Sequence, residues 1–168
     1  MDSQQWRRET LRKMKTSRAA MLRLFDCINA RMMIKPELQG RWSIKDVFAH
    51  IVAWEKEACK RLDLILANKS DQIYYYEDSS VMHRFNARVV SKYKPLSMNQ
   101  LLKEAAEIRT ELMARLKKIP VAEIDNSSHL HPVSFWVPEF TYKHEREHRD
   151  RIQKWISARN RDRQKGRS

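Results

Sequence analysis

Two histidines four residues apart, His144 and His148, are the strongest candidates for chemistry in this chain of 168 residues. On an α-helix, residues at this spacing lie about 6 Å apart along the axis and on one face. Two imidazoles so placed can chelate one cation through their ring nitrogens. Ile152 and Trp155 continue the same face and mark it as the inward one. A pair of polar side chains turned into a core needs a partner, and a metal ion is one such partner.

A third histidine, His50, interrupts an apolar helical pattern formed by Val47, Ile51 and Trp54. It lies near the N-terminal end of its predicted helix, and the histidine pair lies in the first half of the last one. If these two helices run parallel in a bundle, the three imidazoles meet near one end. Three protein ligands leave coordination positions open on a metal ion, which is the arrangement that a catalytic metal requires.

Other interpretations of the same residues stay open at this point. A histidine pair at this spacing also occurs on surfaces or in cores, and a lone core histidine commonly bonds a backbone carbonyl. The segment from His144 to His148 also reads H-E-x-x-H, the motif of zinc proteases in which Glu145 would be the general base. The motif lies close to the end of the sequence, with little chain for a further ligand, and no convincing edge strand exists to hold a peptide. We therefore do not favour a protease.

Composition limits the class of protein. A hydrophobic content of 42% is enough for one domain with a sizeable core, and two glycines exclude Gly-rich phosphate loops. The sequence has no apolar run long enough to span a membrane and no apolar segment typical of a signal peptide near its start. The two cysteines, Cys27 and Cys59, lie in helical patterns and suit a reducing compartment. We expect a cytoplasmic protein with buried thiols.

The net charge of +13 is concentrated at the two ends of the sequence. Residues 1–20 contribute +4 and residues 141–168 contribute +6. Clusters of Lys and Arg with Trp6 and Trp155 nearby can contact nucleic-acid phosphates, so a nucleic-acid-binding protein is an alternative function. Solvated ends that keep the protein soluble account for the same charge. No helix-turn-helix or other motif that reads bases is present.

Hydrophobic periodicity predicts an all-α fold, an up-and-down four-helix bundle with a crossover and one short extra helix. Ser43 with Asp46 predicts a capping box at the start of the second long helix. A loop with three prolines, His129 and His131 covers 120–138, and loops of this length often form lids or site walls. We assign 1–159 to the bundle domain and expect 160–168 to be a basic, disordered tail. The predicted helices cover about 4–31, 43–69, 79–92, 97–118 and 139–159.

Three segments resemble the DinB/YfiT-like superfamily. The run from Trp42 to Glu55 resembles its second-helix signature, and Phe85-Asn86-Ala87 resembles the motif before its third long helix. The run from Tyr142 to His148, with the apolar residues that follow, resembles its last helix. The resemblance covers about residues 5 to 157 and is greatest to the DfsB/ClbS branch.

The resemblance implies a four-helix bundle, often a homodimer, in which His50, His144 and His148 hold a divalent metal ion. Characterised relatives include S-transferases and isomerases that use small thiols such as bacillithiol or mycothiol. Members of the ClbS branch protect their host against a genotoxin by opening its cyclopropane. The strongly basic ends and the 120–138 loop are not features of the family, so the substrate does not carry over.

These observations lead to a hypothesis of a metal-dependent enzyme acting on a small molecule, as a thiol transferase, isomerase or hydrolase. Zn, Ni or Fe would be the metal, with a low-molecular-weight thiol as co-substrate and detoxification or self-protection as the role. We assign Glu147 as a partner of a ligating histidine, with a place on a solvated face as the equal alternative. Tyr142, Trp54 and Asn86 could line the pocket, although plain packing is the default interpretation of the two aromatic residues. Glu147 and Tyr142 are the predicted catalytic residues. An alternative is a metal-free protein that sequesters a hydrophobic ligand in a cavity rimmed by 120–138.

Overall fold

The computed structural model describes residues 2–38, 40, 42–76 and 78–165. It is mostly helical, and no β-strand occurs among the residues so described. Four helices of 21 to 24 residues form the body of the molecule, as the periodicity predicted. The helices in chain order are α1 Ser3–Asp26, α2 Ala30–Met33, α3 Ile44–Leu66, α4 Ser79–Tyr93, α5 Met98–Lys118, α6 Val121–Ile124, α7 Val133–Phe140 and α8 Tyr142–Lys165, with a single 3₁₀ turn at Ser70–Gln72.

Side-chain caps fix where the central helices begin. At the start of α3, Ser43 accepts a hydrogen bond from the Asp46 backbone N–H while the Asp46 carboxylate accepts one from the Ser43 N–H, which confirms the predicted capping box. Ser97 and Gln100 form the same arrangement before α5. These caps satisfy backbone N–H groups that have no partner inside the helix, so they set the register of each apolar stripe.

The apolar stripes close on one core. Helix α1 packs against α8, α3 packs against α5, and α4 and α7 cover further sides of α3. Phe48, Ile51, Leu62, Leu101 and Leu112 are fully buried in this core. Helix α3 is the most deeply buried of the four long helices, and its polar residues His50, Glu55 and Arg61 are enclosed by protein.

A buried ion cluster joins the four long helices, with one charged residue from each. Arg18 of α1 donates from Nη2 to both carboxylate oxygens of Glu55 of α3, at 2.9 and 3.0 Å. Arg109 of α5 donates to Glu145 of α8 at 3.1 Å, and the Arg18–Glu145 and Arg109–Glu55 pairs are also in contact. Both carboxylates are fully buried, and the two positive and two negative charges balance. We name these four residues the ion cluster.

The structure departs from the sequence prediction at several boundaries. Helix α1 ends at Asp26, whereas the apolar pattern predicted a helix that continues to about residue 31. The prediction of a loop over 120–138 is wrong, because this segment contains α6 and most of α7. Pro120 and Pro132 are the residues immediately before those helices, a place where proline is tolerated, so the prolines mark helix starts there.

At the far end of the chain, α8 continues to Lys165, beyond the predicted end at about residue 159. Residues 166–168 of the predicted tail lie outside the described residues, and disorder there stays a prediction. Among the helices of the described chain, none combines the length and apolar character needed to traverse a bilayer.

Candidate metal centre

The structure brings together the three histidines that the sequence singled out. His50 comes from the first half of α3, and His144 and His148 come from the first two turns of α8. Nε2 of His144 lies 3.0 Å from Nε2 of His50 and 3.0 Å from Nε2 of His148. All three residues offer a ring nitrogen within 4.8 Å of the others. We call them the histidine cluster.

Hydrogen bonding among the imidazoles does not explain this geometry. A ring nitrogen has either one N–H or one lone pair, so His144 Nε2 can make one good bond to His50 or to His148, but not both. A cation between the three nitrogens satisfies them together. Two nitrogens that each lie ~2.1 Å from one ion are about 3.0–3.4 Å apart, which is the separation between His144 and its neighbours. The donor set therefore fits a divalent metal ion.

Burial keeps the imidazoles neutral, which is the state that ligates metals. Desolvation lowers the pKa of His50 to about 3, with the charge of His148 acting in the same direction and the Asn86 side chain in the opposite one. Desolvation and the neighbouring His50 and His148 lower the pKa of His144 to about 2. Desolvation and Arg151 lower the pKa of His148 to about 4. The lone pairs are therefore available at neutral pH without loss of a proton.

A cavity of about 210 Å³ opens next to the cluster. His50 and His144 form its polar end, and Trp54 and Phe140 pack edge to face at 4.7 Å on its wall. Trp54 Nε1 donates to Asn86 Oδ1 at 3.1 Å, which holds the amide at the cavity surface. Met82 and Glu139 complete the lining. Trp54 and Asn86 thus lie where the sequence placed them, beside the candidate ligands.

The structure does not bring the two predicted catalytic residues to this cavity. The side chain of Glu147 is 59% exposed and pairs with Arg151, which follows it by one helical turn. Tyr142 lines a separate surface groove between α1 and α8, where Lys13 lies 5.6 Å from its ring centre. Neither residue is among those that line the 210 Å³ cavity. Their catalytic role stays a prediction from the sequence.

Glu145, the base that a zinc protease would need, lies elsewhere. Its carboxylate is fully buried in the ion cluster, where it accepts hydrogen bonds from Arg18 and Arg109. These two guanidinium groups lower its pKa against the effect of burial. A carboxylate that two arginines hold in place is not available to activate water at the histidine cluster, so the H-E-x-x-H match is a coincidence of spacing.

The sequence prediction missed part of the surroundings of the site. A second cavity, of about 190 Å³, shares Trp54, Met82, Glu139 and Phe140 with the first. Its other walls include Arg61, Tyr75, Tyr76 and Trp136. Arg61 follows Trp54 by seven residues and His50 by eleven, a spacing that keeps all three on one face of α3. A longer cleft along α3 could have been predicted from that spacing.

Comparison with known proteins supports the fold. A sequence model of the DinB superfamily matches residues 13–152, most of the chain. A crystal structure of an uncharacterised protein from Escherichia coli UTI89 is similar, with a TM-score of 0.76 and 13% identity over 92% of this chain and 94% of that one. At that identity the similarity concerns the fold alone. No curated protein matches this chain.

Proposed function

We propose, since this chain belongs to the DinB superfamily, that His50, His144 and His148 bind one divalent metal ion at the head of a substrate cavity. The protein would then be a metal-dependent enzyme that acts on a small molecule. The observation that carries the proposal is the convergence of three Nε2 atoms, with that of His144 at 3.0 Å from each of the other two.

Several features of the site support catalysis over a purely structural metal. Three histidines leave coordination positions open, whereas structural zinc sites are closed by four protein ligands. The adjoining cavity gives a substrate access to that side of the cluster. A bound divalent ion supplies Lewis acidity, which lowers the pKa of a water or thiol that it binds.

The residues of the chain supply binding and orientation. Trp54 and Phe140 present aromatic surface that excludes water from the approach to His50 and His144. Asn86, whose oxygen is occupied by Trp54, keeps its amide N–H groups for a polar atom of the substrate. His50 and His144 also have Nδ1 atoms that are buried and without an acceptor among the described residues. A ligating histidine usually donates its second ring N–H to a carboxylate, a carbonyl or water, so an acceptor from outside the described residues would have to complete these two.

The finer assignments are part of the same proposal. We propose a thiol-dependent transfer, an isomerisation or a hydrolysis as the reaction, with a low-molecular-weight thiol as co-substrate. Zn, Ni and Fe are the candidate metals, because neutral imidazoles suit all three. The alternative of a protein that sequesters a hydrophobic ligand without a metal uses the same cavity. Metal content separates the two.

The test is elemental analysis of protein purified without a histidine tag. We expect about one equivalent of a divalent metal in the wild type and a loss of most of it in H144A. Cobalt(II) added to chelator-treated protein gives a second readout, because its visible absorption bands shift and gain intensity when the ion leaves water for a protein site of lower coordination number. His83 lies on the exposed side of α4, so H83A is the matched control and should bind cobalt like the wild type.

Two results would contradict the metal site. One is less than about a tenth of an equivalent of metal in active wild-type protein, with no spectrum on addition of cobalt. The other is equal metal content in wild type, H83A and H144A. Ligand binding with no metal in active protein would instead favour the sequestering alternative.

A further inference from the structure

Arg61 of α3 is a buried cation that its surroundings satisfy only in part. The residue is 3% exposed, and burial lowers the pKa of its guanidinium. Nη2 donates to the Tyr74 carbonyl at 2.8 Å, but Nε is buried and has no acceptor among the described residues. A buried guanidinium whose Nε has no acceptor destabilises the fold, and an anion bound beside it would offset that cost.

Aromatic rings surround this guanidinium. Its central carbon lies 4.6 Å from the ring centre of Phe140 and 5.0 Å from that of Tyr75, with two more rings within 6 Å. Ring faces attract a cation, but they accept no hydrogen bonds comparable to those of an oxygen atom. The rings therefore fix the position of Arg61 without using up its N–H groups.

Nearby carboxylates do not neutralise Arg61 fully. Glu57 Oε1 lies 3.7 Å from Nε, beyond hydrogen-bonding distance, and its other oxygen lies 3.5 Å from Lys60. Glu139, on the wall of the same cavity, pairs with Lys143 at 2.7 Å. Arg61 lines the cavity of about 190 Å³, where Glu57 leaves its positive charge only partly neutralised.

The cavity at Arg61 adjoins the one at the histidine cluster. The two share four lining residues, among them Trp54 and Phe140, so they lie side by side along α3. The eleven residues from His50 to Arg61 correspond to about 16 Å along the helix axis. A molecule that occupied both cavities would meet imidazoles at one end, aromatic walls along its length and a guanidinium at the other end.

We infer that Arg61 binds the carboxylate of an elongated, apolar or aromatic substrate whose reacting end lies at the histidine cluster. This inference rests on the proposed function for the reacting end only. A carboxylate suits the site because its two oxygens match the guanidinium donors. A phosphate dianion is less suitable, since it would bring a second negative charge into an apolar cavity that offers one partly neutralised cation.

The experiment is calorimetric titration with 4-phenylbutyrate and with its neutral amide, 4-phenylbutyramide. We expect wild-type protein to bind the carboxylate about tenfold more tightly, because an ionic hydrogen bond contributes more than a neutral one. R61M should bind both compounds equally, because methionine keeps the apolar volume and removes the charge. E57Q should bind the carboxylate more tightly than the wild type does, because it removes the competing anion without altering Arg61.

The variant H144A separates this inference from the proposed metal site. If the carboxylate binds at Arg61, H144A keeps the preference for it even when its metal is lost. A preference that H144A loses and R61M keeps would place the carboxylate on the metal ion and overturn the inference while supporting the metal. Equal binding of the two probes to wild type, or no binding of either, would also overturn it. Thermal unfolding of each variant shows whether it is folded. If R61M is not folded, the affinity of E57Q for the carboxylate tests the inference in its place.

Discussion

His144 and Glu145 are neighbours in the chain, but their side chains belong to two different buried sites. His144 Nε2 lies 3.0 Å from two other imidazoles, and the Glu145 carboxylate accepts a hydrogen bond from Arg109 at 3.1 Å. Successive residues on a helix point about 100° apart, so one turn of α8 serves both sites. The ion cluster thereby fixes the rotation of α8 that turns His144 toward α3.

Removal of one cation from the ion cluster should destabilise the fold strongly. R109M leaves the buried carboxylates of Glu55 and Glu145 with one arginine between them, at a cost of roughly 3–5 kcal/mol. E111Q, which breaks the exposed pair with Arg115, is the control and should cost about 1 kcal/mol or less. Urea unfolding followed by circular dichroism measures both. Equal losses in the two variants would show that the cluster does not hold the helices together.

The stability of the metal-free protein should fall as the pH falls below about 6.5. The three cluster histidines have pKa values of about 3, about 2 and about 4 in the folded state, against an ordinary value of 6.5. Below that value the unfolded chain takes up protons that the folded chain does not, so acid favours unfolding. Each histidine contributes up to about 1.4 kcal/mol per pH unit, until the pH approaches its folded pKa.

Urea unfolding of chelator-treated protein between about pH 7 and about pH 5 measures this dependence. H144A should show a shallower dependence than the wild type, because one depressed imidazole is gone. H83A, which removes an exposed histidine, should match the wild type. The same slope in H144A and the wild type would mean that His144 is not held neutral by burial.

Much of the fold and the histidine cluster were predictable from the sequence because both depend on periodicity. Apolar residues at three- and four-residue spacing place a helix against a core whatever its partner is, so the long helices were found. The histidines lie on those same stripes, and their spacing set their common face. The capping box at Ser43 was predictable too, because it depends only on residues three positions apart in the sequence. Helix ends were less accurate, since they depend on tertiary contacts and on turns such as that at Thr141, between α7 and α8.

The ion cluster and the Arg61 cavity were not predictable in the same way. Arg18 was visible as an interruption of the α1 stripe, but its partners come from three other helices at distant positions in the sequence. Charged residues are normally assigned to the surface, so Glu55 and Arg109 carried no signal of burial. Pairing between distant helices needs three-dimensional packing, which spacing along one helix does not contain.

The two cysteines should differ sharply in reactivity. Cys27 is exposed at the end of α1, so the expectation of a buried thiol is wrong for this residue. Cys59 is buried on α3, and burial raises the pKa of its thiol to about 12, so the reactive thiolate is nearly absent at pH 8. A thiol-specific reagent should therefore label one cysteine in native protein and both in denaturant. C27S should leave no fast-reacting thiol, and rapid labelling of two thiols in the native state would contradict the packing around Cys59.

Substitution of Glu147 and Tyr142 tests whether either residue supports metal binding. Glu147 is exposed and paired with Arg151, and Tyr142 lines the groove on the other side of α8. From these positions we expect E147Q and Y142F to retain the metal content of the wild type. H148A, one residue along from Glu147, should lose it, because that change removes a ligand. Elemental analysis of the three variants measures the difference.

Cobalt spectra distinguish a distant residue from one that acts through a ligand. If Glu147 holds His148 in place by a contact that forms only when metal binds, E147Q should lower the affinity for the metal by about tenfold or more and shift the cobalt absorption bands. An unchanged spectrum with unchanged affinity would exclude that role for Glu147. Y142F serves as the reference in the same measurement, because the tyrosine hydroxyl lies in a groove that the cluster does not share. A shift in both variants would instead point to a general displacement of α8, which thermal unfolding would reveal as a common loss of stability.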